Sequence, residues 1–286
     1  MRHFDKNIKK IPCRFLFILL SAALSSFVIA DNAAKPQRIA SLNLCLDALL
    51  LKLVEPARIN SLTYISGNPQ FSPFAKQAQQ FHLNRGLAED LVPRNPDLIL
   101  AGDFGAGDAK VLLKQLGFRV ETLSLPRTLA DISSHIRRFG ELTGSQDSAE
   151  KMVQELEAQL ARLDANPSKP IPAFWYSSNS YVVGSDTLEN ELMTRAGFHN
   201  LALDKNISGI SQLDLEDLIL AKPKVIIVES SDVQAFSLAR EYVQHPALRK
   251  NNMQIIKLPA TLSVCIAPIA ADVIENLIQQ KKSIVN

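Results

Sequence analysis

Two stretches, EDLVPRNPDLIL at residues 89–100 and EDLILAKPKVII at residues 216–227, are nearly the same phrase written twice. Each opens on an acidic pair and a leucine, meets a proline at the same offset (Pro96 and Pro223), and runs into a short apolar segment. A residue that precedes proline is disfavoured in a helix, so each proline marks a helix stop. The runs that follow, Leu98–Ala101 and Val225–Val228, have the length and apolar continuity of buried parallel strands. A helix–stop–strand unit present in two copies predicts two α/β lobes of related architecture. Chance similarity between two such units is the alternative.

Working outward, strands alternate with single helices on both sides of these copies. Before residue 129 the pattern predicts strands at Arg38–Leu42, Arg58–Thr63, Asp97–Ala101 and Arg119–Leu123. Helices are expected between them at Cys45–Val54, Leu87–Arg94 and Ala109–Leu116. Such alternation implies a mainly parallel sheet covered on both faces. From Leu129 the pattern turns helical. Ile132, Ile136 and Phe139 share one helical face, and after a break at Gly144 a helix from Asp147 to Leu163 carries the stripe Met152, Leu156, Leu160, Leu163. This reads as the only long helix of the chain, and Pro167, Pro170 and Pro172 follow it.

The alternation then resumes. Strands are expected at Ala173–Tyr176, Tyr181–Val183, Val225–Val228 and Gln254–Leu258, and helices at Thr187–Ala196, Asp214–Leu220, Gln234–Val243 and Ile269–Gln279. The expected organisation is a segment 1–30, one α/β lobe over 31–143, a connecting helix over 144–166 and a second α/β lobe over 167–286.

Residues 1–30 have a basic head (Lys6, Lys9, Lys10, Arg14) and an apolar run from Phe15, with Val28 and Ala30 at small-residue positions before Asp31. That is the pattern of a secretory signal peptide. The run is shorter than the roughly 20 apolar residues of a bilayer span, and Ser21, Ser25 and Ser26 interrupt it. The expected mature protein is exported and soluble. The basic excess of the 286-residue chain lies in this segment, and the remainder is slightly acidic. A nucleic-acid partner, which demands a basic face, is therefore not expected.

Several segments carry a resemblance. They are RIASLNLCLDALLLKL (38–53), NRGLAEDLVPRNPDLILAG (84–102), LLKQLGFRVETL (112–123), ENELMTRAGFHNL (189–201), ISQLDLEDLILAKPKVIIV (210–228) and HPALRKNNMQIIKLP (245–259). In this order around a central helix they resemble the class III periplasmic substrate-binding proteins of ABC importers, which carry cobalamin, ferric siderophores or haem. The resemblance implies two α/β lobes joined by one long helix, with a metal chelate bound in the cleft between them. It also implies a monomer that delivers its ligand to an inner-membrane permease with its ATPase, in the periplasm, with no cofactor and no catalysis. A single stiff helix between lobes implies only modest closure on the ligand.

Ligands of open parallel sheets collect beyond the carboxyl ends of strands, so residues just after strands are the candidates. In the first lobe these are Asn43, Cys45, Tyr64 and Asp103 with Phe104, and Arg85 lies ahead of the first repeated helix. In the second lobe they are Trp175, Tyr176 and the loop Thr261–Ala267, which contains Cys265. By resemblance, Tyr64 and Phe104 match cleft aromatics, while Asp108 and Asp232 match acidic positions that dock on the permease. For the aromatics, core packing is the competing role.

Cys45 and Cys265 admit three readings: separate buried side chains, a disulfide between lobes, or thiolate contact with the metal of a bound chelate. A disulfide needs Cα atoms within about 7 Å, which an open cleft argues against. His82, His135, His199 and His245 have no metal-ligand spacing, so no protein-bound metal is expected and packing or surface roles fit them better. The competing functional class is an exported α/β enzyme, yet GDFGAG at 102–107 departs from the dinucleotide fingerprint and no GxSxG elbow occurs. A chelate scavenger without a transporter would use the same cleft.

Overall fold

The apolar runs of the first half, too short to bury themselves alone, assemble edge to edge. The computed structural model describes residues 35–163, 169–230 and 253–285. Strands β1 (Ile39–Ser41), β2 (Ile59–Thr63), β3 (Leu83–Asn84), β4 (Leu98–Gly102) and β5 (Val120–Leu123) form a sheet in the order β3-β2-β1-β4-β5. Every pairing in it is parallel. Strands β1 and β4 are buried along their whole length, as strands covered on both faces must be. Helices α1 (Leu44–Leu53), α2 (Ala75–Ala78), α3 (Ala88–Leu91) and α4 (Gly107–Gln115) make the connections.

Two helices follow, α5 (Leu129–Thr143) and α6 (Gln146–Arg162). Thr128 and Asp131 form a reciprocal capping box at the start of α5. Gly144 ends α5 at φ 65°, a left-handed conformation that glycine adopts without penalty. The helices run antiparallel, since Arg137 bonds Glu150 at 2.7 Å and Ser133 bonds Glu157 at 3.0 Å. The helix expected over Asp147–Leu163 is present as α6, but it is not the only long one: α5, α6 and the last helix have 15, 17 and 16 residues.

The second half contains β6 (Ile171–Ser177), β7 (Tyr181–Val183), α7 (Leu188–Arg195), β8 (Phe198–Asn200), α8 (Leu201–Asp204), β9 (Ile210–Gln212), α9 (Leu215–Leu220) and β10 (Val225–Ser230). After the undescribed residues come β11 (Gln254–Pro259), α10 (Ala260–Ser263) and α11 (Ala270–Val285). The sheet order is β11-β10-β6-β7-β9, with β8 beside β6. Strands β6, β8, β10 and β11 pair in parallel, but β7 runs antiparallel to both β6 and β9. Only a three-residue turn, Ser178–Ser180, separates β6 from β7, too short for the crossover that a parallel pair needs. The expected helix Gln234–Val243 and the segment 1–30 lie outside the described residues. Among those described, no helix is long and apolar enough to cross a membrane.

The repeated phrase does build equivalent units. Leu91 and Leu218 are both buried, and β4 and β10 each lie second from the edge of their sheet. Asn95 and Lys222, the residues before the two prolines, both take left-handed conformations, at φ 46° and 50°. The backbone N–H of Asp97 donates to Arg38, and that of Lys224 to Pro172, so each copy enters its sheet on a neighbouring strand in the same way. In each copy the chain leaves its helix through a left-handed residue before the proline, instead of the extended backbone that usually precedes it.

One apolar core spans both halves. It takes Ile39 and Leu100 from the first sheet, Phe139 and Val153 from the helix pair, Trp175 and Ile227 from the second sheet, and Val273 and Leu277 from α11. The outer faces of the sheets have separate, smaller clusters, around Ile99 in one and around Phe174 and Tyr176 in the other. Alternation along β6 therefore sends Trp175 to the shared core and Tyr176 to the outer face.

The approach of α5 to α6 depends on Gly140, where an added Cβ would lie 2.5 Å from the Cβ of Ala149 and 3.3 Å from the Cα of Gln146. Gly140→Ala should destabilise the protein by about 1–3 kcal/mol, the usual cost of overpacking a closed interface. Chemical denaturation should show this loss, with partial recovery when Ala149→Gly is added.

Candidate functional site

The carboxyl ends of β4 and β5 face the second half across a cavity of about 670 Å³. This lies within the range of small-molecule and cofactor sites. From the first half, Cys45 and Leu49 of α1, Asp103 and Phe104 after β4, Ser124–Arg127 after β5 and His135 of α5 line it. From the second half come Asp186–Glu189 at the start of α7, Gly209 and Ile210 around β9, and Ser263, Val264, Ile266 and Ala267 between α10 and α11.

The start of α1 is fixed tightly. Asn43 caps the helix, its Oδ1 accepting the N–H of Cys45 at 2.9 Å and of Leu46 at 3.2 Å. The same side chain packs on the end of β4, where a Cβ on Gly102 would lie 2.6 Å from Asn43 Nδ2. One turn on, the buried Asp47 accepts both the backbone N–H of Thr63, at 3.1 Å, and the Thr63 hydroxyl. These bonds tie α1 to the end of β2 and hold Cys45 at the cavity.

Cys45 and Cys265 are joined in a disulfide, with Cα atoms 5.0 Å apart. Neither sulfur is then a thiolate, so the speculative contact with a chelated metal is corrected. An inter-lobe bond is feasible because the halves are fused through one core beside the cavity: α1 packs on the turn Ala267–Ile269 immediately after Cys265. The cleft opens above that junction and does not separate the two cysteines.

The other expected residues fall in different places. Phe104 lines the cavity and is 78% exposed. Tyr64, although 61% exposed on the turn Tyr64–Gly67, does not line it. Asn43 serves as the helix cap, and Arg85 is exposed, away from the lining, its N–H donating to Asp90 at 2.7 Å. Trp175 and Tyr176 are corrected as cleft residues: each is only 4% exposed, because β6 is covered on both faces. Asp108 is exposed in the first turn of α4, and Asp232 lies outside the described residues.

Sequence reasoning missed Ser124–Arg127 and Asp186–Glu189 and gave His135 a packing role. The first group was within reach, since it follows a strand end like the candidates that were chosen. Asp186 takes a left-handed conformation at φ 59°, and its carboxylate accepts the hydroxyls of Ser185 at 3.2 Å and Ser208 at 2.9 Å. Burial pushes the imidazole of His135 below its ordinary range, against an opposing hydrogen bond with the Ser124 backbone. Burial likewise raises the carboxyl of Glu189, opposed by its own backbone N–H. Both shifts favour the neutral forms. Among the described residues, no group of three or more His, Cys, Asp or Glu could hold a metal ion.

A model of the family described as "Periplasmic binding protein" matches residues 39–260, most of the chain. The chain belongs to the periplasmic binding protein family. Among similar proteins is the ferric enterobactin-binding periplasmic protein FepB of Escherichia coli O6:H1 (strain CFT073). It is 24% identical over 181 residues, covering 58% of this chain and 57% of that protein. A cobalamin-binding protein of Halobacterium salinarum is 23% identical over 175 residues, covering 57% of this chain and 47% of the relative. The chain thus spans about half the length of these relatives.

The fold of this periplasmic binding protein is also that of the haem-binding protein RhuT from Roseiflexus sp. RS-1 in apo form. The TM-score is 0.70 at 20% identity, over 87% of this chain and 99% of that one. The vitamin B12 binding protein BtuF of Vibrio cholerae matches with a TM-score of 0.66 at 18% identity, over 88% and 99% of the two chains. The α/β architecture with two sheets is therefore the fold of these two binding proteins.

Two outcomes follow from the site's supports. Removing the disulfide, by reduction or in Cys45→Ala/Cys265→Ala, should cost roughly 2–5 kcal/mol, because the bond closes a very long loop in the unfolded chain; guanidinium midpoints measure this. Burial, only partly opposed by hydrogen bonds from Ser41, Thr63 and Ser66, raises the Asp47 carboxyl from 3.8 to about 7. The folded protein then keeps a proton that the unfolded chain releases, so this stabilising contribution is present below pH 4 and lost as pH rises through 7. In Asp47→Asn the fall in melting temperature between pH 5 and pH 8 should be smaller than in the wild type.

Proposed function

We propose that this protein is the periplasmic solute-binding component of an ABC importer. It captures a metal chelate (a corrinoid, ferric siderophore or haem) and delivers it to an inner-membrane permease. The observation that carries this reading is the cavity of about 670 Å³ between the two sheets, lined by both halves, in a member of a binding-protein family. Its relatives and structural neighbours include proteins named for ferric enterobactin, cobalamin, haem and vitamin B12. Residues 31–143 and 167–286 are the two lobes in this reading, with 144–166 linking them and 1–30 directing export.

Within the cavity, Phe104 offers an exposed aromatic face to a planar or bulky chelate, and Leu49, Leu125 and Val264 add apolar surface. Apolar walls supply affinity, and a few placed polar groups supply orientation. In this reading Asp108, which is exposed at the first turn of α4, docks on the permease. The shared core and the Cys45–Cys265 bond favour small closure on binding, because neither half can swing away as a separate body.

Titrating the mature protein with cyanocobalamin, haemin and ferric siderophores, followed by visible absorbance and calorimetry, tests the reading. One of them should bind at one site per chain with micromolar or tighter affinity, and Phe104→Ala should weaken it about tenfold. Turnover of the chelate, or no binding at all, would end the proposal.

A further inference from the structure

The charges around the cavity narrow the class of ligand. Among the described lining residues are three carboxyls, Asp103, Asp186 and Glu189, against one guanidinium, Arg127, and the imidazole of His135. The two exposed acids are held by hydroxyls and not by cations. Asp103 accepts the Ser124 hydroxyl at 3.2 Å, and Asp186 accepts those of Ser185 and Ser208. Neither forms an ion pair among the described residues. The nearby ammonium of Lys110 is turned to backbone, donating to the carbonyls of Gly102 at 2.9 Å and Asp103 at 3.2 Å.

We propose that this cleft selects metal chelates carrying no net negative charge, such as neutral or cationic ferric trihydroxamates and neutral corrinoids. It discriminates against trianionic ferric catecholates and against haem with its two carboxylates. This rests on the chelate-binding reading above. An anionic chelate entering the cavity would meet the carboxylates of Asp103 and Asp186, with one guanidinium, Arg127, among the described lining residues to offset them. In a partly desolvated site, each unit of like charge held within several ångströms of another costs about tenfold in affinity or more. A cationic chelate gains from the same field. Glu189 and His135, both displaced toward their neutral forms by burial, add hydrogen-bonding capacity, which suits the amide and carbonyl groups of neutral chelates.

Isothermal titration of the mature protein would compare ferrioxamine B (cationic), ferrichrome (neutral), cyanocobalamin (neutral), a ferric tris-catecholate (trianionic) and haemin. At least one of the first three should bind ten or more times tighter than either anion, and the trihydroxamate and corrinoid arms identify which chemistry is the source. In Asp103→Asn/Asp186→Asn this preference over the tris-catecholate should shrink about tenfold or more. Both side chains are exposed, and asparagine tolerates the left-handed backbone at position 186, so the fold is kept. Tighter binding of the tris-catecholate or haemin, or a preference unmoved by the double substitution, would overturn the charge assignment. Failure of all five to bind would instead overturn the chelate-binding reading, and this assignment with it.

Discussion

The structure depends on a junction that its two sheets share. The inner face of each sheet, the helix pair α5–α6 and the last helix contribute to a single apolar core, and the Cys45–Cys265 bond closes it covalently beside the cavity. Because apolar burial scales with area removed from water, parting the halves would expose surface from both sheets at once. The cleft is consequently a gap above a closed junction. That geometry explains why two cysteines far apart in sequence meet, and why the cavity is lined from both sides.

The junction also sets the chemistry available to a ligand. Strand ends of the first sheet deliver Phe104 and Arg127 to one wall, and the entry into α7 delivers Asp186 and Glu189 to the other. Apolar surface predominates in the lining, and eight polar or charged side chains of the described residues are set into it. Behind the wall, Asn43 and Asp47 act through the backbone: one caps α1, the other binds Thr63, and both keep Cys45 where the bond to Cys265 can form. Asp47 illustrates the cost of such positioning, since a carboxyl placed in the core keeps its proton up to about pH 7.

Most of the architecture could be read before any coordinates. The duplicated phrase marked two equivalent α/β units, and its prolines marked two helix ends, both realised as left-handed turns at Asn95 and Lys222. The strand-end rule brought Cys45, Phe104 and the loop around Val264 to the cavity. Tyr64, exposed on its turn, is not among the lining residues, and Trp175 and Tyr176 lie on a strand covered on both faces. A strand's alternation tells which residues share a face, but not whether another layer covers that face.

The order of short apolar runs and helix stops, a local property of the chain, was enough to specify an α/β protein with two related halves. Backbone stereochemistry acts between near neighbours and needs no knowledge of the rest. Folding in three dimensions decided the disulfide, the reversed strand β7, the burial of Trp175 and the gathering of Asp103, Asp186 and Glu189 around one cavity. Those outcomes depend on which surfaces are apolar enough to be pressed together and which remain apart. Contact between distant segments is set by that competition for burial, and no local pattern contains it.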